Sequence, residues 1–341
     1  MGESDNESTS LGAGTGTRVR STEGASLSLI VPCYSLDRAP DIHQLLDSVE
    51  RQTVPVDELL VVVQQSESLL ALVDERLSRL RCPSARVLYL DARPRVALAR
   101  NVGVRQAHGD IIAFVDDDAV LAETWSLATR AFYADHPQAI GVAGAILPLW
   151  DTLAMAWFPR ELYWMVSCTY WRSQDPMVVR NGYGANLSFR RAAFDDGRLF
   201  NERLGISGWG IGGWHGVGGE EPEFSRRVTL ETGCPIYYVP DVIAWHRVRR
   251  YRLAPSTLAQ RGYWEGRFKA AFRRSGKQAG NVLATERQLL TTMAREALGR
   301  LTSLPTQPSK VLRQCAVTTL ALSCVAAGYI EGTLRGSRIS D

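Results

Sequence analysis

No two of the six cysteines (Cys33, Cys82, Cys168, Cys234, Cys315 and Cys324) have CxxC spacing. In a chain of 341 residues that scatter argues against a disulfide scaffold and against a cysteine-ligated zinc site. No secretory leader is expected either, because the first residues are polar and acidic. Gly2 follows Met1, but Asn6 stands where N-myristoylation needs Ser or Thr. Neither sign of charge dominates, and a net charge of +3 gives no reason to expect a nucleic-acid partner. The glycine fingerprint of dinucleotide-binding folds is absent from the first strand–helix turn. The last apolar run, Val317 to Ile330, contains Thr318, Thr319 and Ser323 and is shorter than a usual membrane span. An amphipathic or buried helix is expected there rather than a transmembrane one. These absences leave a globular protein, expected in the cytoplasm, with ordinary contents of 45% hydrophobic and 22% charged residues.

Residues 1–26 are rich in Gly, Ser and Thr without apolar periodicity, and are expected to be a disordered tail. Inside it, Leu11-Gly-Ala-Gly-Thr-Gly-Thr-Arg18 resembles the phosphate loop of sugar nucleotidyltransferases. It lacks the buried strand that would aim its amides at a phosphate, so nucleotidyl transfer is kept only as an alternative. Ordered structure is expected from Leu27. Apolar strands at 27–34, 58–63, 85–90 and 111–115 alternate with helical spacing over 38–52, 68–81 and 95–107. Such alternation predicts a parallel sheet with helices on both faces.

The fourth strand ends in Asp116-Asp117-Asp118. Three adjacent carboxylates at a strand's carboxyl end need cations nearby, and that end of an α/β sheet is where ligands bind. Hard divalent cations take such oxygens and share them with phosphates. An acidic turn or a helix N-cap is the plainer alternative. Further along, a helix is predicted over 123–135 and a strand over 140–147. The aromatics between 148 and 180 are expected mainly to pack. The glycine-rich stretch 205–219 holds Trp209 and Trp214, suited to stacking on a sugar face. Glu220 and Glu221 open a helix that Gly233 ends, two short strands follow at 236–239 and 242–245, and His246 follows the second. From Arg247 onward basic residues interleave with aromatics, a pattern compatible with a solvated face or with peripheral contact to an anionic membrane.

Taken together, these motifs resemble the family 2 glycosyltransferases over roughly Leu27 to Lys277. Ile30-Val-Pro-Cys-Tyr34 resembles the nucleotide-binding start, with Ser35 for the usual Asn. Ala99-Arg-Asn-Val-Gly-Val104, Gly109-Asp-Ile-Ile-Ala-Phe-Val-Asp-Asp-Asp118, Gly219-Glu-Glu-Pro-Glu-Phe224 and Val242-Ile-Ala-Trp-His246 resemble the family's later motifs in order. The resemblance implies a GT-A (nucleotide-diphospho-sugar transferase) fold: a mostly parallel sheet flanked by helices, with a nucleotide-binding half over 27–121, an acceptor half over 122–247 and a helical, basic extension over 248–341. It implies an inverting transfer from a nucleotide-diphosphate sugar to a hydroxyl of a glycan, a lipid-linked acceptor or a small molecule. Asp116, Asp118 and His246 would bind a divalent metal (Mn2+ or Mg2+). Glu221 would be the general base, with Glu220 positioning the acceptor. Pro32, Tyr34, Gln64, Arg100, Asn101, Asp116 and Asp117 would contact the nucleotide sugar, and Asn186, Trp209 and Trp214 the acceptor. Gln64 replaces the family's usual Asp, which leaves the nucleotide base open. A non-catalytic glycan-binding protein is the remaining alternative.

Overall fold

The structure is a computed structural model. It describes residues 24–82, 84–204, 219–274, 291, 293–296, 298–300 and 302–335. The nucleotidyltransferase-like loop at 11–18 and the expected acceptor contacts Trp209 and Trp214 lie outside the described residues.

Nine strands form one mixed sheet. Its first half is parallel: β3 (Ala85–Leu90), β2 (Glu58–Gln64), β1 (Leu27–Cys33) and β4 (Ile111–Phe114) lie in that order. Every residue of β1, β2 and β4 is buried, as a sheet covered on both faces requires. The helices α1 (Ala39–Glu50), α2 (Glu67–Leu77) and α3 (Val96–Gln106) connect these strands. Ser66 caps α2, its hydroxyl accepting from the Leu69 amide at 3.2 Å. Pro32 is tolerated in β1 because β4 pairs with it only as far as Ile30. Past that point the two strands part, leaving the crevice where such sheets bind ligands.

The second half is more varied. β4 meets β8 (Leu187–Arg190) antiparallel, and β8 meets β6 (Gly141–Trp150) antiparallel. β6 runs parallel to β9 (Ile236–Val248), which pairs antiparallel with β5 (Ala119–Leu121) and β7 (Met177–Val179). The two short strands expected at 236–239 and 242–245 are one strand, β9, joined through Pro240 and Asp241 by a bulge opposite Gly144 and Ala145. Helix α4 (Trp125–Asp135) follows β5, and α5 (Glu220–Thr232) precedes β9 and ends on Gly233 at φ 70°.

Hydrophobic clusters fill both faces of the sheet, and a third joins the segment after β6 to the C-terminal helices. That third cluster contains Ile146, Phe158, Leu162, Val248, Leu258, Val317 and Ala321, so residues on both sides of position 247 share one core. Trp150, Trp157, Tyr163 and Trp164 pack against it, which is the packing role expected for most aromatics of this segment. Two long helices of the C-terminal region are α6 (Pro255–Arg274) and α7 (Pro308–Arg335). α7 has 28 residues and extends beyond the apolar run 317–330 at both ends; it is long and apolar enough to cross a membrane. Glycines let α6 and α7 touch at the backbone. A Cβ on Gly266 would lie 2.0 Å from the Val325 carbonyl oxygen, and one on Gly328 would lie 1.9 Å from that of Tyr263. Gly262 faces Ala321 and Gly332 faces Ala270, so the contacts advance together and the helices run parallel.

Candidate active site

The acidic triplet sits where β4 ends and β5 begins. The Ala119–His246 pairing of β5 with β9 brings His246 beside Asp118. Its Nε2 lies 3.2 Å from Asp118 Oδ1, and the ligand atoms of Asp116, Asp118 and His246 all lie within 4.8 Å of one another. Asp118 Oδ1 is buried without a hydrogen-bond partner, as is His246 Nδ1. An unpaired carboxylate oxygen facing an imidazole and a second carboxylate is a donor set that fits a divalent cation. Asp116, the remaining member, is the more open, with its side chain 30% exposed.

The cations that three adjacent acids require are arginines. Arg38, in the 3-10 turn Leu36–Arg38 after β1, pairs closely with Asp117 and lies 3.4 Å from Asp118 Oδ2. Arg252, in the turn Arg250–Leu253 after β9, approaches the same Oδ2 to 3.6 Å. Burial alone would raise the Asp118 carboxyl; His246, Arg38 and Arg252 outweigh it and hold the group well below the usual carboxylate range.

Arg100 joins the triplet to the second acidic pair. It projects from α3, almost fully buried, and its Nη1 donates to Glu221 Oε1 at 2.9 Å. Nη1 is also 3.4 Å from Glu220 Oε1, and Nη2 is 3.3 Å from Asp116 Oδ1. Gly184 makes room for this guanidinium, since a Cβ there would lie 1.8 Å from Nη2. The Gly184 amide donates to Glu221 Oε1 at 3.2 Å. Glu220 and Glu221 occupy the first turn of α5, where the helix dipole favours acids. Gly219 precedes them at φ 122°, pressed against Phe268 of α6. Burial, and then the Glu221 charge, push the Glu220 carboxyl up to about 8, against the pull of Arg100.

Other expected contacts have different surroundings. Pro32 is buried in β1, and Tyr34 lies just beyond that strand with the Arg38 guanidinium 5.3 Å from its ring centre. Gln64 is buried, and its Oε1 accepts from the Arg95 amide at 2.8 Å, which fixes the start of α3. Asn101 clasps residues 200–202: its Nδ2 donates to the Phe200 carbonyl and to Glu202, and its Oδ1 accepts from the Phe200 amide. Asn186, expected to contact the acceptor, has its side-chain amide bonded within the fold. Its Oδ1 accepts from Trp125 Nε1 at 2.8 Å, and its Nδ2 donates to the carbonyls of Ala145 and Val242 at 3.0 and 2.8 Å. Both Nδ2 bonds go to strand carbonyls inside the β6–β9 bulge. Sequence reasoning missed Arg38, Arg252 and Gly184; the one signal for the arginines was the need of three adjacent acids for counter-charge.

A parallel nucleotide-binding half-sheet, a mixed second half, and a carboxylate–histidine triad at the strand ends define a sugar-nucleotide-dependent glycosyltransferase of the GT-A fold. The family model for glycosyl transferase family 2 matches residues 28–198, and the chain belongs to that family. A glucosyl-dolichyl phosphate glucuronosyltransferase of Haloferax volcanii is 27% identical over 90% of this chain and 96% of its own length. The succinoglycan biosynthesis protein ExoM of Rhizobium meliloti is 26% identical over 72% of each chain. Among solved structures, a Pyrobaculum calidifontis mannosyltransferase in complex with GDP-Man and Mn2+ superposes with a TM-score of 0.62 at 18% identity, covering 92% of this chain and 88% of that one. The chain is therefore a glycosyltransferase that uses a divalent cation, and Asp116, Asp118 and His246 form a donor set able to hold one.

Proposed function

We propose that this chain transfers a sugar, with inversion, from a nucleotide-diphosphate sugar to a hydroxyl of a lipid-linked glycan at a membrane surface. The observation that carries the reading is the Arg100 bridge, which holds Glu221 beside the DxD acids. Asp116, Asp118 and His246 would hold the cation, which supplies charge neutralisation for the departing diphosphate. Glu221 accepts the proton of the acceptor hydroxyl as that oxygen bonds to the anomeric carbon and the bond to the diphosphate breaks. Glu220, whose carboxyl is pushed up by burial and by the Glu221 charge, positions the acceptor. Tyr34 and Pro32 border the nucleotide site, and Arg38 fixes Asp117 at its edge.

A lipid-linked acceptor is favoured by two observations. The Haloferax relative, aligned over nearly its whole length, is named for a dolichyl phosphate substrate. Among the described residues, α7 leaves Leu312, Leu322, Ile330 and Leu334 exposed. Its packing on α6 favours lying along the membrane over crossing it. α6 carries Arg261, Glu265, Arg267, Lys269 and Arg273 beside α7, and each charge at mid-bilayer depth costs about 2.5–3.5 kcal/mol on insertion scales.

The test is transfer from a panel of labelled sugar nucleotides to polyprenyl-phosphate-linked glycans, with Mn2+ and with chelator. Glu221→Gln is expected to lower kcat by roughly 100-fold or more with donor binding retained. Turnover within a few-fold of wild type would remove Glu221 as the base.

A further inference from the structure

We propose that a cationic cavity near the start of α7 binds the phosphoryl head of an anionic membrane lipid; this rests on the membrane-surface reading above. The cavity has a volume of about 280 Å³. Met155 and Trp157 line it from the segment after β6, Arg250 and Leu253 from the turn after β9, and Arg313 from α7. Two arginines line it and no carboxylate does. Arg250 meets an acid only through its backbone amide, which donates to Asp151 Oδ2 at 3.0 Å. Arg313 meets an aromatic ring instead of an acid, its guanidinium carbon 4.4 Å from the Trp157 ring centre.

That stacking matters for what can bind. A guanidinium lying on a ring spends its face and keeps its N–H edges, the part that matches phosphoryl oxygens. It also covers the face of Trp157 that a sugar would need. The pair is held in place, because Gln314 Nε2 donates to the Trp157 carbonyl at 2.7 Å and ties α7 to the segment after β6.

The surroundings favour a lipid over a soluble phosphate. Leu153, between the lining residues Thr152 and Ala154, is 89% exposed. Leu312, next to Arg313, is 64% exposed. Arg313 also stands directly before the uncharged run Gln314 to Ile330. Apolar side chains beside such arginines gain cover in a bilayer while the guanidinium groups stay among the head groups. A soluble phosphate would leave both leucines in water. The plainer account is diffuse attraction of surface charge to an anionic bilayer, and for that lysine serves as well as arginine.

The experiment uses this difference. Flotation of the full chain is measured with vesicles of phosphatidylcholine alone, with added phosphatidylglycerol, and with added polyprenyl phosphate. Wild type should prefer one or both anionic vesicles. Arg250→Gln with Arg313→Gln is expected to weaken that binding about 10-fold or more, and binding to phosphatidylcholine less than about 2-fold. Arg250→Lys with Arg313→Lys keeps both charges without the forks; a loss of about 3-fold or more is expected, and this pair carries the test if the glutamine pair fails to fold. A loss confined to polyprenyl phosphate makes that lipid the ligand, whereas a loss that includes phosphatidylglycerol makes it the bulk anionic lipid. No preference of wild type for anionic vesicles, no loss with glutamine, or full binding with lysine overturns the site and leaves the membrane-surface reading standing. If wild type floats with none of the three, that reading falls and the cavity's role falls with it.

Discussion

Arg100 donates to Glu221 at 2.9 Å, and its other terminal nitrogen lies 3.3 Å from Asp116. One side chain from α3 thus sets the spacing between the proposed base and the metal acids. Removing it leaves buried Glu220 and the more open Glu221 and Asp116 without their cation. Arg100→Met is expected to cost about 3–5 kcal/mol of stability, the usual penalty for breaking one side of a buried ion pair. Chemical denaturation measures that loss. In protein that still folds, Mn2+ affinity should fall together with turnover, because Asp116 loses its anchor.

Gly184 tests the same bridge from outside it. Gly184→Ala adds a methyl group 1.8 Å from Arg100 Nη2, so the guanidinium must move. Because Gly184 is itself no ligand, its effect should appear as displacement of Glu221. We expect kcat to fall roughly 10- to 100-fold with donor affinity changed much less, following the sensitivity of catalysis to misplacement of about 1 Å. A steady-state split of kcat and KM checks this.

Much of this arrangement was legible in the sequence, for physical reasons that also explain the gaps. The strands β1, β2 and β4 are covered on both faces, so they read as continuous apolar runs. His246 was legible because it follows an apolar segment, although Pro240 and Asp241 hid the continuity of β9. The arginines were not legible as individuals: Arg38 and Arg252 lie in short turns far apart in sequence, and only the sheet brings both to Asp118. The bonds of Asn186 inside the bulge were not legible either, because an amide near glycines suits a ligand or a bulge. The length of α7 was hidden by Gln314, Thr318, Thr319 and Ser323, polar residues that interrupt the apolar run but not the helix.

Glu220 makes stability depend on pH. Its carboxyl titrates near 8 in the folded chain and near 4.5 when unfolded, so the folded state holds an extra proton between those values. Stability should therefore be highest below about pH 4.5 as far as this group is concerned, and should fall as pH rises toward 8. Glu220→Gln removes the ionisable group and should flatten that slope. Denaturant midpoints measured from pH 5 to pH 9 on both proteins check it; parallel curves would show that Glu220 is ionised in the folded state.

Asn186 separates a structural amide from an acceptor contact. Asn186→Ala strands Trp125 Nε1 and two strand carbonyls, each unsatisfied buried group costing about 1–3 kcal/mol. A loss of several degrees in Tm is expected, with acceptor KM near wild type in the protein that remains folded. A raised KM at unchanged stability would restore the acceptor role.

The outer face of α7 decides the membrane reading. Leu322 and Ile330 are exposed there, Ile330 at 56%, and the seventeen residues from Gln314 to Ile330 carry no charge. A helix lying along a bilayer buries such a face and loses affinity when it is charged. Leu322→Glu with Ile330→Glu should abolish co-flotation with vesicles containing anionic lipid, while donor hydrolysis in solution stays near wild type because neither residue approaches Asp116 or Glu221. Flotation insensitive to both charges would mean that α7 does not contact lipid. A shift of the wild-type chain from dimer to monomer on the same substitutions would identify that face as a contact between copies of the protein.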